Sequence, residues 1–288
     1  MTGLLVTRAG ALTTVQDRGR PGYAHLGVPR SGALDTAAYA LANRLLGNAP
    51  DAAALETTLD GVGLRALAST VVAVTGAPCS VRIDGRPVAW GAAIGVPAGA
   101  ELEVGRAESG LRSYVAVRGG LRVPPVLGSR STDLLSGLGP PVLSAGMPLP
   151  LAPPGPEPVP WADVCGLPGA PSELLLPLRL GPRADWFTEA SLAGLWRAVF
   201  RVSAMSNRIG LRTEAGAPLV RGRAGELPSE GMVLGAVQVP PDGLPVVFLA
   251  DHPVTGGYPV VGVVPPGPAL DAAAQARPGV PVRFVRSR

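Results

Sequence analysis

On average every fourth residue of this chain is a glycine or a proline: 39 Gly and 33 Pro stand among 288 positions. That density favours short elements joined by tight turns. The same density touches the range of disordered chains. Here, however, 47% of residues are hydrophobic, and they alternate in short runs. Such alternation is the mark of half-buried strands, not of a solvated coil. The expected class is mainly β with a few helices (α+β). At ~100–200 residues per domain the length gives one large domain or two small ones. Either can bury a core without a metal or disulfide staple.

Strand patterns occupy 4–7, 12–15, 55–59, 70–75, 80–83, 101–104 and 113–117 in the first half. Asp84-Gly85 is a two-residue hairpin signal. The spacing predicts a helix over 33–46, with Asp35 in its first turn, where a carboxylate suits the helix dipole, and Gly47-Asn48 as its stop. Residues 151–161 hold five of the prolines and read as an extended, stiff linker. The predicted division is therefore 1–150, a linker over 151–161, and 162–288. In the second half strands are expected over 173–180, 199–203, 232–239, 246–250, 258–264 and 280–285. A helix over 188–197 is capped by Thr188. Asn207 to Gly210 reads as a turn, and Pro240-Pro241-Asp242-Gly243 is a strong turn signal. The halves share an order of strand, helix, then several strands, which suggests two barrels or sandwiches, each with a small helix.

Composition excludes several chemistries. All 25 basic residues are arginine, so no Schiff-base, Walker A or biotin-carrying lysine exists in the chain. Any biotin taking part is carried by another protein. Net charge is +4 and the arginines are scattered, which argues against nucleic-acid binding. Cys79 and Cys165 form no CxxC pair, and only His25 and His252 could join them, so a zinc site is not expected. The N-terminus lacks an apolar run of signal-peptide length, and no window holds ~18 uninterrupted apolar residues. A soluble, cytoplasmic chain is expected.

Several loops carry chemistry. Gln16-Asp17-Arg18-Gly19-Arg20 offers an amide, an acid and two guanidiniums, able to hold a carboxylate or phosphate or simply to close a loop by ion pairing. Gly27 to Asp35 leads a Ser-Gly pair into a helix, as an anion site or as ordinary capping. Gly128-Ser129-Arg130-Ser131-Thr132 flanks an arginine with hydroxyls, without the P-loop pattern. Further on, Ser206, Asn207, Arg208, Glu230, Gln238, Asp251, Thr255 and Tyr258 fall at strand ends and loops, where functional groups gather on sheet scaffolds. Gly256-Gly257 would let a ligand approach the backbone. His252 beside Asp251 is a possible base, or a loop residue with a satisfied ring. No Gly-x-Ser-x-Gly, His-Glu-x-x-His or Gly-x-Gly-x-x-Gly motif is present.

Taken in order, these segments resemble the biotin-dependent carboxyltransferase family known as allophanate hydrolase subunit 2, which includes the C subunit of the bacterial ATP-dependent 5-oxoprolinase. The resemblance rests on Leu12-Thr13-Thr14-Val15-Gln16-Asp17-x-Gly19-Arg20-x-Gly22-Tyr23, Gly27-Val28-Pro29-x-Ser31-Gly32-Ala33-x-Asp35, Ala42-Asn43-x-Leu45-x-Gly47-Asn48 and Ala54-Leu55-Glu56-x-Thr58. It continues through Gly128-Ser129-Arg130-Ser131-Thr132, Ser206-Asn207-Arg208-x-Gly210, Ser229-Glu230-Gly231, Gln238-Val239-Pro240-x-Asp242-Gly243 and Thr255-Gly256-Gly257-Tyr258-Pro259. Family members commonly read Thr-Thr-Gly-Gly-Tyr-Pro-Lys at the last motif. Val254 and Val260 replace the first threonine and the lysine, removing a hydroxyl and a charge.

The resemblance implies two similar cyclophilin-like β-barrel domains. It implies a companion B subunit of the allophanate hydrolase subunit 1 type and, in the oxoprolinase, an A subunit. It also implies ATP-dependent hydrolysis of a cyclic amide, 5-oxo-L-proline to L-glutamate, with Mg²⁺ accompanying ATP in the complex. Phosphorylation of the amide oxygen makes an electrophile for water and calls for donors around developing oxyanions. Arg130, Arg208, Glu230 and Asp251 are the expected catalytic residues: the arginines, with Arg20, stabilise charge, and Glu230 or Asp251 orients water. The expected substrate-binding residues are Gln16, Asp17, Arg20, Ser131, Ser206, Asn207, Gln238, Thr255, Gly256, Gly257 and Tyr258. Two alternatives stand beside this. One is a carboxyltransferase half of a biotin-dependent urea or amide carboxylase, with Asn207 and Asp251 on the ureido ring. The other is a non-catalytic regulatory subunit that binds a kinase-inhibitor-like B subunit.

Overall fold

The computed structural model describes residues 3–156, 158–160, 169 and 171–287. The chain is mostly β with three α-helices among these residues. It divides into two compact units, neither continuous in sequence. The first comprises 1–20, 35–132 and 137–170; the second comprises 21–34, 133–136 and 171–288. The expected division was continuous, so it assigns 21–34 and 133–136 to the other side. Glu157 and Trp161 of the expected linker, and Cys165 beyond it, lie outside the described residues. The start of that stretch is tied down: Leu151 bridges Leu121, and the Ala152 amide donates to Gly120 O at 3.0 Å.

The first unit has two sheets. One runs in the order Pro148–Pro150, Gly3–Arg8, Val62–Ala66, Glu101–Ala107, Cys79–Ile83, Arg86–Val88. The other runs Leu12–Gln16, Ala54–Thr58, Arg112–Val117, Thr70–Gly76, Ala93–Val96. Strand alternation sends Val15, Leu55, Val74 and Val115 into one core with Leu4, Leu64 and Leu102. Ile83 faces Arg86 across a two-residue turn, with Asp84 at φ 48° and Gly85 at φ 76°. Two positive φ values define the hairpin turn that the Asp-Gly pair predicts.

Helix α1 (Thr36–Leu45) is shorter than expected, and Asp35 is its N-cap, not a first-turn residue. Ser31 and Gly32 take positive φ (50° and 99°), so the chain is still turning just before it. The Asp35 carboxylate accepts from the Ala38 amide at 2.9 Å, and the Asp35 amide donates to Tyr114 Oη at 2.8 Å. The cap thus satisfies a free helix N–H.

The second unit contains a closed barrel: Leu174–Leu180, Val260–Val263, Ala236–Gln238, Val246–Phe248, Gly210–Glu214, Phe200–Val202, Pro281–Arg286. A parallel pairing of Pro281–Arg286 with Leu174–Leu180 closes the ring. Leu176, Val237, Val247 and Val261 fill it with Phe200 and Phe284, which meet edge to face at 5.9 Å. In the first unit the pairing forms two sheets instead of a ring. Helix α2 (Glu189–Leu195) is capped as expected by Thr188, whose Oγ1 accepts from the Ser191 amide. Helix α3 (Pro268–Gln275) is unforeseen; its Leu270, Ala273 and Ala274 are buried beside Leu174–Leu180.

The expected strand over 232–239 pairs only at Ala236–Gln238. Gly235, at φ 80°, bends the run: a Cβ there would lie 2.0 Å from Val264 O. Glu230–Gly231 and Thr255–Gly256 form a separate antiparallel pair. In the Pro240 to Gly243 turn, the Gly243 amide donates to Pro240 O at 3.0 Å. Cys79 is a buried free thiol pushed up to about 11 by burial, so it is no nucleophile at neutral pH.

Candidate active site

The expected site residues fall in both units. Gln16, Asp17, Arg20, Arg130 and Ser131 belong to the first, and all the others to the second.

In the first unit Asp17 is the hub. Its Oδ1 accepts from Ser129 Oγ (2.6 Å), Ser131 Oγ (2.6 Å) and the Gly19 amide (2.8 Å). Its Oδ2 accepts from the Arg130 amide at 2.6 Å. Arg130 Nε donates to Val123 O at 3.1 Å. The buried Arg20 guanidinium donates to Ser131 O (2.5 Å) and Val126 O (3.3 Å). The loop 129–132 is therefore wrapped around a carboxylate of the chain itself. Hydroxyls and backbone amides hold it closed on Asp17. Gln16 Nε2 donates to Thr14 Oγ1 and Thr132 O, both at 3.0 Å. Its Oε1 is buried with no hydrogen-bond partner among the described residues.

In the second unit Arg208 and Asp251 form a buried bidentate pair, Nε to Oδ2 at 2.9 Å and Nη2 to Oδ1 at 3.0 Å. Arg208 Nη2 also donates to Gly32 O at 2.7 Å. Asp251 further accepts from Ser31 Oγ (2.9 Å) and the Leu134 amide (3.2 Å). Four donors saturate the carboxylate, which is what a buried charge requires. Its geometry suits a positioning residue.

Glu230 meets Arg183 instead, through Nε at 2.9 and 3.1 Å and also through Nη2. That hydrogen bond holds the carboxyl below its ordinary range. Gln238 Nε2 donates to Tyr258 O at 3.2 Å. A Cβ on Gly256 would lie 2.7 Å from the same Nε2, so the amide occupies the space glycine leaves. Gly257 has ordinary room, 3.4 Å from Leu227 O. Tyr258 is exposed, with the Arg221 guanidinium 5.9 Å from its ring centroid. Thr255 is exposed in its short strand. Ser206 Oγ bonds the Arg212 backbone, and Asn207 Oδ1 accepts from the Ile209 and Gly210 amides. These two side chains shape the expected turn.

Sequence reasoning did not place Ser31, Ser129 or Glu56 in these networks. Glu56 is buried, accepts from Tyr114 Oη at 2.8 Å and lies 3.6 Å from Arg112 Nε. Their signal was present, since each lies inside a quoted motif, but their partners are distant in sequence.

Residues 26–286 match the model of the carboxyltransferase domain, subdomains A and B. The chain belongs to this family. Among similar proteins is the C subunit of 5-oxoprolinase from Escherichia coli K12, 38% identical over 286 residues, covering 98% of this chain and 91% of that protein. Urea amidolyase of Lachancea kluyveri is 32% identical over 97% of this chain, but the match spans only 17% of that longer protein. The crystal structure of Kluyveromyces lactis urea amidolyase superposes with a TM-score of 0.90 at 31% identity, over 99% of this chain and 18% of that one. The carboxyltransferase fold thus occurs both as a subunit and as part of a longer chain.

His252 has a set tautomer. Its Nδ1 lies 2.8 Å from Pro253 O, which can only accept, so Nδ1 carries the proton. Its ring stacks on Phe248 at 6.0 Å. Burial, chiefly, lowers its pKa from the ordinary 6.5. The unfolded chain then takes up a proton at a pH where the folded chain does not. Stability is therefore expected to fall as pH drops from ~6.5 toward the lower folded value. Urea melts of the wild type and His252→Asn between pH 7.5 and 5 should show the variant gaining on the wild type as pH falls. A difference independent of pH contradicts this assignment.

Proposed function

We propose that this chain is the C-type subunit of an ATP-dependent 5-oxoprolinase, acting with A and B subunits to open 5-oxo-L-proline to L-glutamate. The observation that carries the reading is likeness: two 5-oxoprolinase C subunits are 38% and 34% identical to this chain, against 32% and 31% for two urea amidolyases. The match to the Escherichia coli C subunit covers 91% of that protein, whereas the urea amidolyase match covers 17%.

Opening the lactam means breaking amide resonance, which ATP makes possible by phosphorylating the amide oxygen. ATP and Mg²⁺ enter as substrates of the assembled complex. Among the described residues, no group of three His, Cys, Asp or Glu side chains is placed to hold a metal ion. The chain's own contribution is a rigid polar scaffold. Asp17 fixes the Ser129–Thr132 loop, and Asp251 fixes Arg208 and the 31–32 turn. Glu230, Gln238 and Tyr258 flank the open Thr255–Gly257 strip as substrate contacts. Locked donors of this kind serve catalysis by needing no reorganisation when charge develops.

The test is an omission series. Purified A, B and this chain are combined with Mg²⁺–ATP and 5-oxo-L-proline, and glutamate is measured. The proposal expects glutamate only from the complete mixture. Equal release without this chain overturns it.

A further inference from the structure

Among the described polar groups of the second unit that the networks above leave unused are Arg30 and His252 Nε2. Arg30 is half-buried and takes part in no hydrogen bond or ion pair among the described residues. His252 is buried, and with Nδ1 engaged its Nε2 is a bare acceptor with no partner among those residues. The two flank one rigid contact. Between them the Ser31 amide donates to Ala250 O at 3.0 Å, and Ser31 Oγ donates to Asp251 Oδ1 at 2.9 Å. Ser31 holds a left-handed φ of 50°, a costly conformation for serine that persists only where surroundings impose it. Arg208 pins the next residue through Gly32 O.

The charges felt by His252 are Arg30, Asp251 and Asp133. Both carboxylates are committed elsewhere. Asp251 has its four donors. Asp133 caps its own turn through the Leu135 amide (2.9 Å), the Ser136 amide (3.2 Å) and Ser136 Oγ (2.5 Å). A guanidinium with no anion near a bare imidazole acceptor is an incomplete pair of complementary functions. One demands an anion, the other a hydrogen-bond donor.

We propose that Arg30 and His252 bind a small carboxylate that carries an N–H or O–H donor beside its carboxyl group. Arg30 takes the carboxylate and His252 Nε2 accepts from the donor. The application to substrate rests on the oxoprolinase reading: 5-oxo-L-proline bears its carboxylate on the carbon next to the lactam N–H. Urea offers donors but no anion and leaves Arg30 unanswered.

The chain has two histidines, so ¹⁵N imidazole spectra of the full chain at pH 7.5 report on the site directly. Titration with 5-oxo-L-proline should shift the His252 signals saturably and leave His25 in place. Pyrrolidin-2-one, which lacks the carboxylate, and acetate, which lacks the donor, should each bind at least about tenfold more weakly. Arg30→Gln and His252→Asn should lose a similar factor; the asparagine keeps the donor to Pro253 O. Circular dichroism melts establish that each variant is folded. No His252 shift with 5-oxo-L-proline up to ~10 mM, or equal affinity in a folded Arg30→Gln, overturns the proposal. The two readings fail separately. Glutamate release by the complex with an unchanged KM in Arg30→Gln removes this site and leaves the function. Binding at His252 without glutamate release removes the function and leaves a carboxylate site.

Discussion

Asp251→Ala is expected to destabilise the second unit by about 3–5 kcal/mol, because it strands a buried guanidinium. Arg208 and Asp251 are 1% and 0% exposed, so water cannot replace the lost partner. The Ser31 hydroxyl and Leu134 amide lose their acceptor in the same step. Replacing both members with apolar residues, as Arg208→Met with Asp251→Leu, should recover much of the loss, since neither charge is then left buried. Denaturant titration of the three proteins reads this out as shifts of the midpoint. A midpoint unmoved in Asp251→Ala would mean that the pair is not buried in solution, and would return Asp251 to the expected role of orienting water.

Asp17→Ala is the second large effect, at about 3–5 kcal/mol in the first unit. The carboxylate satisfies two hydroxyls and two backbone amides, and each buried donor left unpaired costs ~1–3 kcal/mol, not additively. Asp17→Asn should be harmful too. One oxygen becomes an NH₂ group, and four donors then compete for a single oxygen. Limited proteolysis should cut the 129–132 loop faster in either variant. Unchanged cleavage and an unchanged melt would show that the loop is held by other contacts.

The strands with alternating patterns and turn residues were legible in the sequence. The Asp84-Gly85 hairpin, the Pro240 to Gly243 turn and the Thr188 cap depend on residues within four positions of one another. The missed elements depend on distance. Val62–Ala66 and Ala93–Val96 carry glycines that local propensity counts against them. Gly210–Glu214 alternates too weakly to stand out, yet it pairs on both sides within the barrel. Helix α3 has few large apolar residues, and Leu270 is the one large apolar side chain among its buried residues, beside Ala273, Ala274 and Gln275.

The candidate site shows the same division. Motifs located Asp17, Arg130, Arg208 and Asp251, but not their partners. Ser31 reaches Asp251 across 220 positions and Ser129 reaches Asp17 across 112. Arginines in loops read as anion contacts until backbone carbonyls and carboxylates of the chain are seen to occupy them. Arg30 and the Nε2 of His252 stand out for the opposite reason, because the fold gives them no partner among the described residues.

The most direct measurement is glutamate release from 5-oxo-L-proline by the three-subunit mixture, with and without avidin. The account predicts ATP-dependent glutamate that requires this chain and is untouched by avidin. Abolition by avidin, or no glutamate from a folded three-protein mixture, contradicts it.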